Sequence, residues 1–148
     1  MGLMKFNSIL VVCVGNICRS PTGEALLRER LPGVKVASAG IHALVGEAAD
    51  ESAVYVASKH GVSLDNHVAQ QLTGSLCRNY DLILTMEKRH VGAIARIAPE
   101  VRGKTMLFGH WLGQVEIDDP YRKSQEAFEH VFQLLLRSAD KWAQSLTS

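Results

Sequence analysis

Apolar residues fall along the chain in two rhythms, short unbroken runs and longer helical stripes, and the two alternate. The first run, centred on Ile9 to Val12, predicts a buried strand over residues 8–13. A helical pattern over 21–30 must end before Pro32-Gly33, and a second strand follows over 34–38. A loop of small residues, 39–46, leads to a helix over 48–60, with Gly61 placed to cap its end. After a polar segment, a short helix over 74–79 precedes a third strand over 81–85. The next helix, over 88–97, must end by Pro99. A fourth strand over 104–108 and a long loop, 109–123, lead to the last helix. There Phe128, Val131, Phe132, Leu135 and Leu136 share one face and predict a core-facing stripe. No repeat, low-complexity tract or linker interrupts the pattern. Strands alternating with helices imply an α/β fold whose parallel sheet is covered on both faces. In such folds a ligand sits at the carboxyl ends of the strands.

A chain of 148 residues predicts one domain, 1–148, large enough to bury a full core. Its 47% hydrophobic and 21% charged residues are ordinary for a soluble globular protein. A net charge of +1 gives no broad electrostatic attraction to nucleic acid or an acidic membrane. No apolar run approaches the roughly 20 residues that span a bilayer. The first seven residues hold one Lys and no long apolar region, so no leader is expected. Gly2 lacks the downstream Ser or Thr of a myristoylation site. Three cysteines, an odd count, argue against a disulfide framework and for a reducing cytoplasm. The six histidines are scattered, with no HxxxH pair and no CxxC, so no structural metal is expected.

Chemistry concentrates at the end of the first strand, in Val11-Val12-Cys13-Val14-Gly15-Asn16-Ile17-Cys18-Arg19-Ser20-Pro21. A Gly/Asn-bearing loop between strand and helix can turn successive N–H groups inward and form an anion nest. The helix dipole adds positive potential there. Val14, Gly15, Asn16, Ile17 and Cys18 would form the nest, and Arg19 a planar fork for two anion oxygens. A cation at a helix start opposes the dipole, a conflict that a bound anion removes. Cys13, standing alone, reads as an inert core residue; inside this nest it reads as a thiolate nucleophile. Ser20 reads as the helix N-cap and Gly15 as a point of backbone freedom. Asn16 is a residue that tolerates left-handed geometry. Farther along, the adjacent carboxylates Asp118 and Asp119 precede Pro120, which holds Asp119 extended. Either could be a turn residue or a general acid. Cys18 could form a reversible disulfide with Cys13 or serve as a buried small residue; Cys77 reads as structural.

The string from Cys13 to Pro21 resembles the signature loop of the low-molecular-weight protein tyrosine phosphatases. Asp119-Pro120-Tyr121 resembles their general-acid loop. The likeness extends to Ser38-Ala39-Gly40, His60-Gly61-Val62, the stretch from His67 to Leu72, and Tyr80-Asp81-Leu82-Ile83-Leu84. The segment from Arg102 to Gly109 and the string Asp119 to Ser124 are similar to the bacterial branch tied to exopolysaccharide and capsule export. The resemblance implies a four-stranded doubly wound sheet of order 2-1-3-4 and no metal or organic cofactor. It implies Cys13, Arg19, Asp119 and Ser20 as the catalytic set, with Ser20 assisting the departing sulfur. Asn16 would be held by partners such as Ser38 and His67, while Ile17, Leu44 and Tyr121 would line the groove for an aromatic ring. The implied substrate is a phosphotyrosine protein, the cytoplasmic tail of a membrane tyrosine kinase. Two positions depart from the family's pattern. Gly23 stands where alanine is frequent, at a helix cost of roughly 1 kcal/mol, and Gln70 stands where many relatives carry arginine.

Three rival chemistries share parts of this pattern. A thioredoxin-coupled arsenate reductase uses a similar loop but needs resolving thiols beyond Cys77 and has no use for Asp119. A non-catalytic phosphotyrosine-binding module would be expected to lack Cys13 or Asp119. A sugar-transport phosphocarrier would not need Arg19 and Ser20.

Overall fold

Side chains alternate across β1 (Ser8–Cys13), and that alternation sets the layers of the molecule in the computed structural model, which describes residues 6–147. Ile9, Val11 and Cys13 belong to one apolar cluster, Leu10 and Val12 to another. Every residue of β1 is buried, as a strand covered on both faces requires. It pairs with β2 (Lys35–Gly40) on one side and β3 (Leu82–Thr85) on the other, and β4 (Thr105–Leu107) joins β3. All pairings are parallel, in the expected order 2-1-3-4. The expectations about a leader and about Gly2 concern positions that lie outside the described residues.

Helices α1 (Arg19–Arg30), α2 (Glu51–Lys59) and α5 (Gln125–Thr147) enclose the first cluster. The second cluster is covered by α3 (Gly74–Arg78), α4 (Lys88–Ile97) and a 3-10 turn, Pro99–Lys104. The result is a single-domain α/β fold with a doubly wound sheet. Phe128, Val131, Phe132 and Leu135 of α5 are buried as the stripe predicted, with Leu136 only partly covered. Trp142 ties α5 to the sheet by donating its indole N–H to the Phe108 carbonyl at 2.8 Å.

Several boundaries differ from the sequence reading, each for a tertiary reason. Strand β2 runs to Gly40 because Ala39 and Gly40 pair with Val12 and Cys13. A Cβ at Gly40 would stand 2.5 Å from the Val14 carbonyl oxygen, so only glycine permits this close approach. Helix α2 starts at Glu51, not 48, because Asp50 caps it, accepting from the Ser52 and Ala53 N–H groups. The 3-10 turn occupies Lys104 and shortens β4. Gly23 has a packing reason: its Cβ would lie 3.0 Å from the Phe108 ring and 3.2 Å from Val11. Glycine lets α1 close onto the sheet, at its local cost in helix propensity.

Candidate active site

Between β1 and α1 the loop's carbonyls and N–H groups are treated differently. The carbonyls of Cys13, Val14 and Gly15 accept from the N–H groups of Ile41, His42 and Leu44, just past β2. That of Asn16 accepts from the His67 ring at 2.6 Å, that of Ile17 from Asp50 N–H, and that of Cys18 from the Thr22 hydroxyl. Every carbonyl from Cys13 to Cys18 is thus anchored by a neighbouring element. The N–H groups of Gly15, Asn16, Ile17 and Cys18 have no hydrogen-bond partner among the described residues. Buried amides left this way, beside a helix N-terminus, form a site for an anion.

Asn16 is the hub that holds the loop. It is fully buried at φ +60°, the left-handed geometry that its residue type tolerates. Its Nδ2 donates to Ser20 Oγ at 2.7 Å and Ser38 Oγ at 2.9 Å, while its Oδ1 accepts from the Gln70 N–H. Ser38 in turn donates to Glu24 at 2.6 Å, and the Gln70 side chain donates to the Ser38 carbonyl. Gln70 therefore latches the loop through both backbone and side chain, without an ion pair. Asn16→Ala removes three side-chain hydrogen bonds, two of them buried, and puts a Cβ-bearing residue with no polar side chain at positive φ. We expect it to lower unfolding free energy by about 2–4 kcal/mol in urea titrations.

Ser20 is not the N-cap. Helix α1 begins at Arg19, and Cys18 precedes it without a side-chain cap. Ser20 lies within the first turn, and its hydroxyl stands 2.9 Å from Cys13 Sγ. Because Ser20 Oγ already accepts from Asn16, its hydrogen is free to point at the sulfur. Burial, with Asp50 second, pushes the Cys18 thiol far up, which keeps it protonated. Cys77 is buried in the other apolar cluster, across the sheet from Cys13, as a structural residue would be.

Arg19 is 1% exposed, a buried cation that needs compensation. Its Nη1 donates to Glu87 Oε2 and to the Ile117 carbonyl, each at 2.7 Å. Nη2 lies 3.8 Å from Asp119 Oδ2. One side of the guanidinium is thus fixed, and Nε and Nη2 make no hydrogen bond among the described residues. Those two donors are the fork that suits two oxygens of one anion. Burial would raise the Glu87 carboxyl, but hydrogen bonds from Arg19 and Arg89 outweigh it and hold the carboxyl below its ordinary range. Beside Glu87, burial pushes His90 down to about 4. The unfolded chain therefore binds a proton on this histidine, at its usual value of about 6.5, before the folded one does. Stability is expected to fall as pH drops from about 6.5 to about 4, by about 3 kcal/mol from His90. Glu87 adds to the loss below about pH 4.5. Denaturant titrations across this range check it, with His90→Phe giving the flatter profile.

A cavity of about 170 Å³ lies over the loop, lined by Cys13, Val14, Gly15, Ile17, Cys18, Arg19, His42, Leu44, Asp119 and Tyr121. Asp119 Oδ1 accepts from the Tyr121 N–H at 3.0 Å, which fixes the carboxyl at the cavity wall. Asp118 is exposed and does not line it. Leu44 and Tyr121 are 44% and 39% exposed, as residues of an open rim. A larger groove of about 620 Å³, lined by Glu24, Arg28, Ser38, Asp65 and His67, lies behind the supporting network and does not reach Cys13. No group of three or more His, Cys, Asp or Glu among the described residues is placed to hold a metal ion. No helix there is long and apolar enough to cross a membrane.

The pattern of the family described as low molecular weight phosphotyrosine protein phosphatase matches residues 8–148. The chain belongs to this family. It is 63% identical to the low-molecular-weight protein-tyrosine-phosphatase Etp of Escherichia coli K12 over 147 residues, 99% of each chain. The solved structure of the tyrosine phosphatase AmsI from Erwinia amylovora superposes with a TM-score of 0.97 at 59% identity, covering 100% of this chain and 98% of that one. Wzb of Vibrio vulnificus, solved with benzylphosphonate, gives 0.94 at 59% identity over 95% and 99%. The family and fold expected from the sequence are therefore established. As a low-molecular-weight protein tyrosine phosphatase the chain is a cysteine-dependent, metal-independent phosphatase. Glu87 and the Ile117 carbonyl, contributed by distant segments, and Glu24, on α1 itself, were not anticipated from the sequence.

Proposed function

We propose that this phosphatase hydrolyses phosphotyrosine through a phosphocysteine formed on Cys13. The observation that carries the proposal is one cavity holding a cysteine sulfur, the open side of a fixed guanidinium, unpaired loop amides and a carboxyl at its wall. The substrate's phosphate sits in the nest, with two oxygens on Nε and Nη2 of Arg19 and the rest on loop N–H groups. The Cys13 thiolate forms an S–P bond as the P–O bond to tyrosine breaks, and Asp119 gives its proton to the departing phenolate oxygen. Water then attacks phosphorus and passes a proton to Asp119. The S–P bond breaks, and Cys13 leaves with its electron pair, stabilised by the Ser20 hydroxyl.

Ile17, Leu44 and Tyr121 give the cavity apolar walls suited to the tyrosine ring. Benzylphosphonate, the ligand of the Vibrio vulnificus relative, joins an aromatic ring to a phosphonate group in the same way. We assign the chain to the cytoplasm, where it dephosphorylates the tyrosine-bearing tail of a membrane kinase that controls capsule or exopolysaccharide export. Its relation to Etp, AmsI and Wzb supports this reading.

The test is hydrolysis of a phosphotyrosine peptide and of p-nitrophenyl phosphate, in EDTA and reductant, by the native chain and by Asp119→Asn. Loss of the acid is expected to lower kcat on the peptide by about 10²–10³. The loss on p-nitrophenyl phosphate is expected to be smaller, because that leaving group needs less protonation. Equal, small losses on both substrates would remove Asp119 from the acid role.

A further inference from the structure

His90 is 3% exposed, and neither of its ring nitrogens has a hydrogen-bond partner. Leaving a buried polar group unsatisfied costs about 1–3 kcal/mol per group, so an apolar side chain would suit a purely space-filling role better. Its setting supplies the reason for an imidazole. His90 lies in the first turn of α4, and its Nε2 is 3.5 Å from Glu87 Oε2, the oxygen that receives Arg19 Nη1 at 2.7 Å. The other Glu87 oxygen accepts from Arg89 Nε at 3.1 Å. The charged groups bearing on the ring are Glu87 and Arg89 at the start of α4, Arg19 of α1, and Glu116 of the segment after β4.

We infer that His90 is a positioning residue for Arg19, acting through Glu87. The inference rests on the phosphatase reading of the cavity. Before an anion binds, Arg19 satisfies Glu87, and Nε2 of the neutral ring stands back at 3.5 Å. When the open side of the guanidinium takes two phosphate oxygens, its positive charge is shared with the anion and its hold on Glu87 weakens. The imidazole N–H then closes on Oε2 and keeps the carboxylate, and with it the guanidinium plane, in place. No proton changes hands: His90 keeps its hydrogen on Nε2 and Glu87 stays ionised. At neutral pH the depressed basicity of His90 keeps it in this neutral, single-donor form.

The experiment is calorimetric titration of the full chain with inorganic phosphate at about pH 6, where His90 remains neutral, for native protein, His90→Phe and His90→Gln. Phenylalanine fills the same volume without a donor, whereas glutamine restores one. His90→Phe is expected to bind phosphate about fivefold more weakly, and His90→Gln to stay within about twofold of native. A purely structural histidine would alter the thermal midpoint but not the phosphate Kd. Equal affinity in native and His90→Phe therefore overturns the inference. Absence of phosphate binding by the native chain would instead overturn the phosphatase reading itself. Should His90→Phe fail to fold, nitrogen-15 spectra of the native ring decide the matter. A proton on Nε2 whose resonance moves downfield on adding phosphate is expected; a proton on Nδ1, or no movement, overturns it.

Discussion

Cys13→Ser is expected to reduce turnover of a phosphotyrosine peptide by at least about four orders of magnitude while leaving phosphate binding largely intact. The two effects separate because the groups that bind and the group that attacks are different. In the proposed site, phosphate would be held by the Arg19 fork and by the unpaired amides of Gly15 to Cys18, none of which involves the sulfur. Attack needs an anion at position 13, and a serine hydroxyl does not ionise near neutral pH as a thiol can. Surrounding groups cannot make up the difference: Ser20 offers one hydrogen bond, at 2.9 Å from the sulfur. Steady-state rates beside calorimetric titration with phosphate test both halves of the expectation. A loss of less than about a hundredfold would remove Cys13 from the nucleophile's role.

Arg19→Lys should be nearly as damaging, with kcat/KM falling by about three orders of magnitude. The guanidinium spans two sets of partners at once. Nη1 is committed to Glu87 and the Ile117 carbonyl, and only a planar group with donors on a second edge can also present a fork to phosphate. An ammonium at this depth must choose. If it pairs with Glu87 it leaves the anion, and if it meets the anion it leaves Glu87 charged in a part-buried site. The loss should appear in both kcat and phosphate Kd, since ground state and transition state share the same oxygens. A variant within tenfold of native on both measures would show that the loop amides alone hold the phosphate.

Cys13, Arg19 and the nest between them were legible because strand, loop and helix start are contiguous, so spacing alone brings them together. The stripe on α5 was legible because burial of one helix face imposes its own period. Two other readings failed for a common reason. Ser20 has the chemistry of a cap, yet its hydroxyl is taken by Cys13 and Asn16, and the helix starts at Arg19, two residues before its expected start. Strand β2 runs two residues past its expected end because register with β1, not local propensity, decides where pairing stops. Glu87 and the Ile117 carbonyl were invisible for a related reason: they lie 68 and 98 residues from Arg19 and meet it only once the sheet has formed. Asp118 and Asp119 could not be separated by residue type. Only the path of the loop, with Asp119 tied to the Tyr121 N–H, puts one carboxyl at the cavity and the other in solvent.

The most direct test of the central claim is to mix native protein with a phosphotyrosine peptide, quench within a single turnover, and locate the transferred phosphate by mass spectrometry. One phosphate is expected on the peptide that contains Cys13, accumulating in step with release of free tyrosine peptide. Phosphate found on any other residue, or complete turnover with no labelled protein at any time, would contradict it.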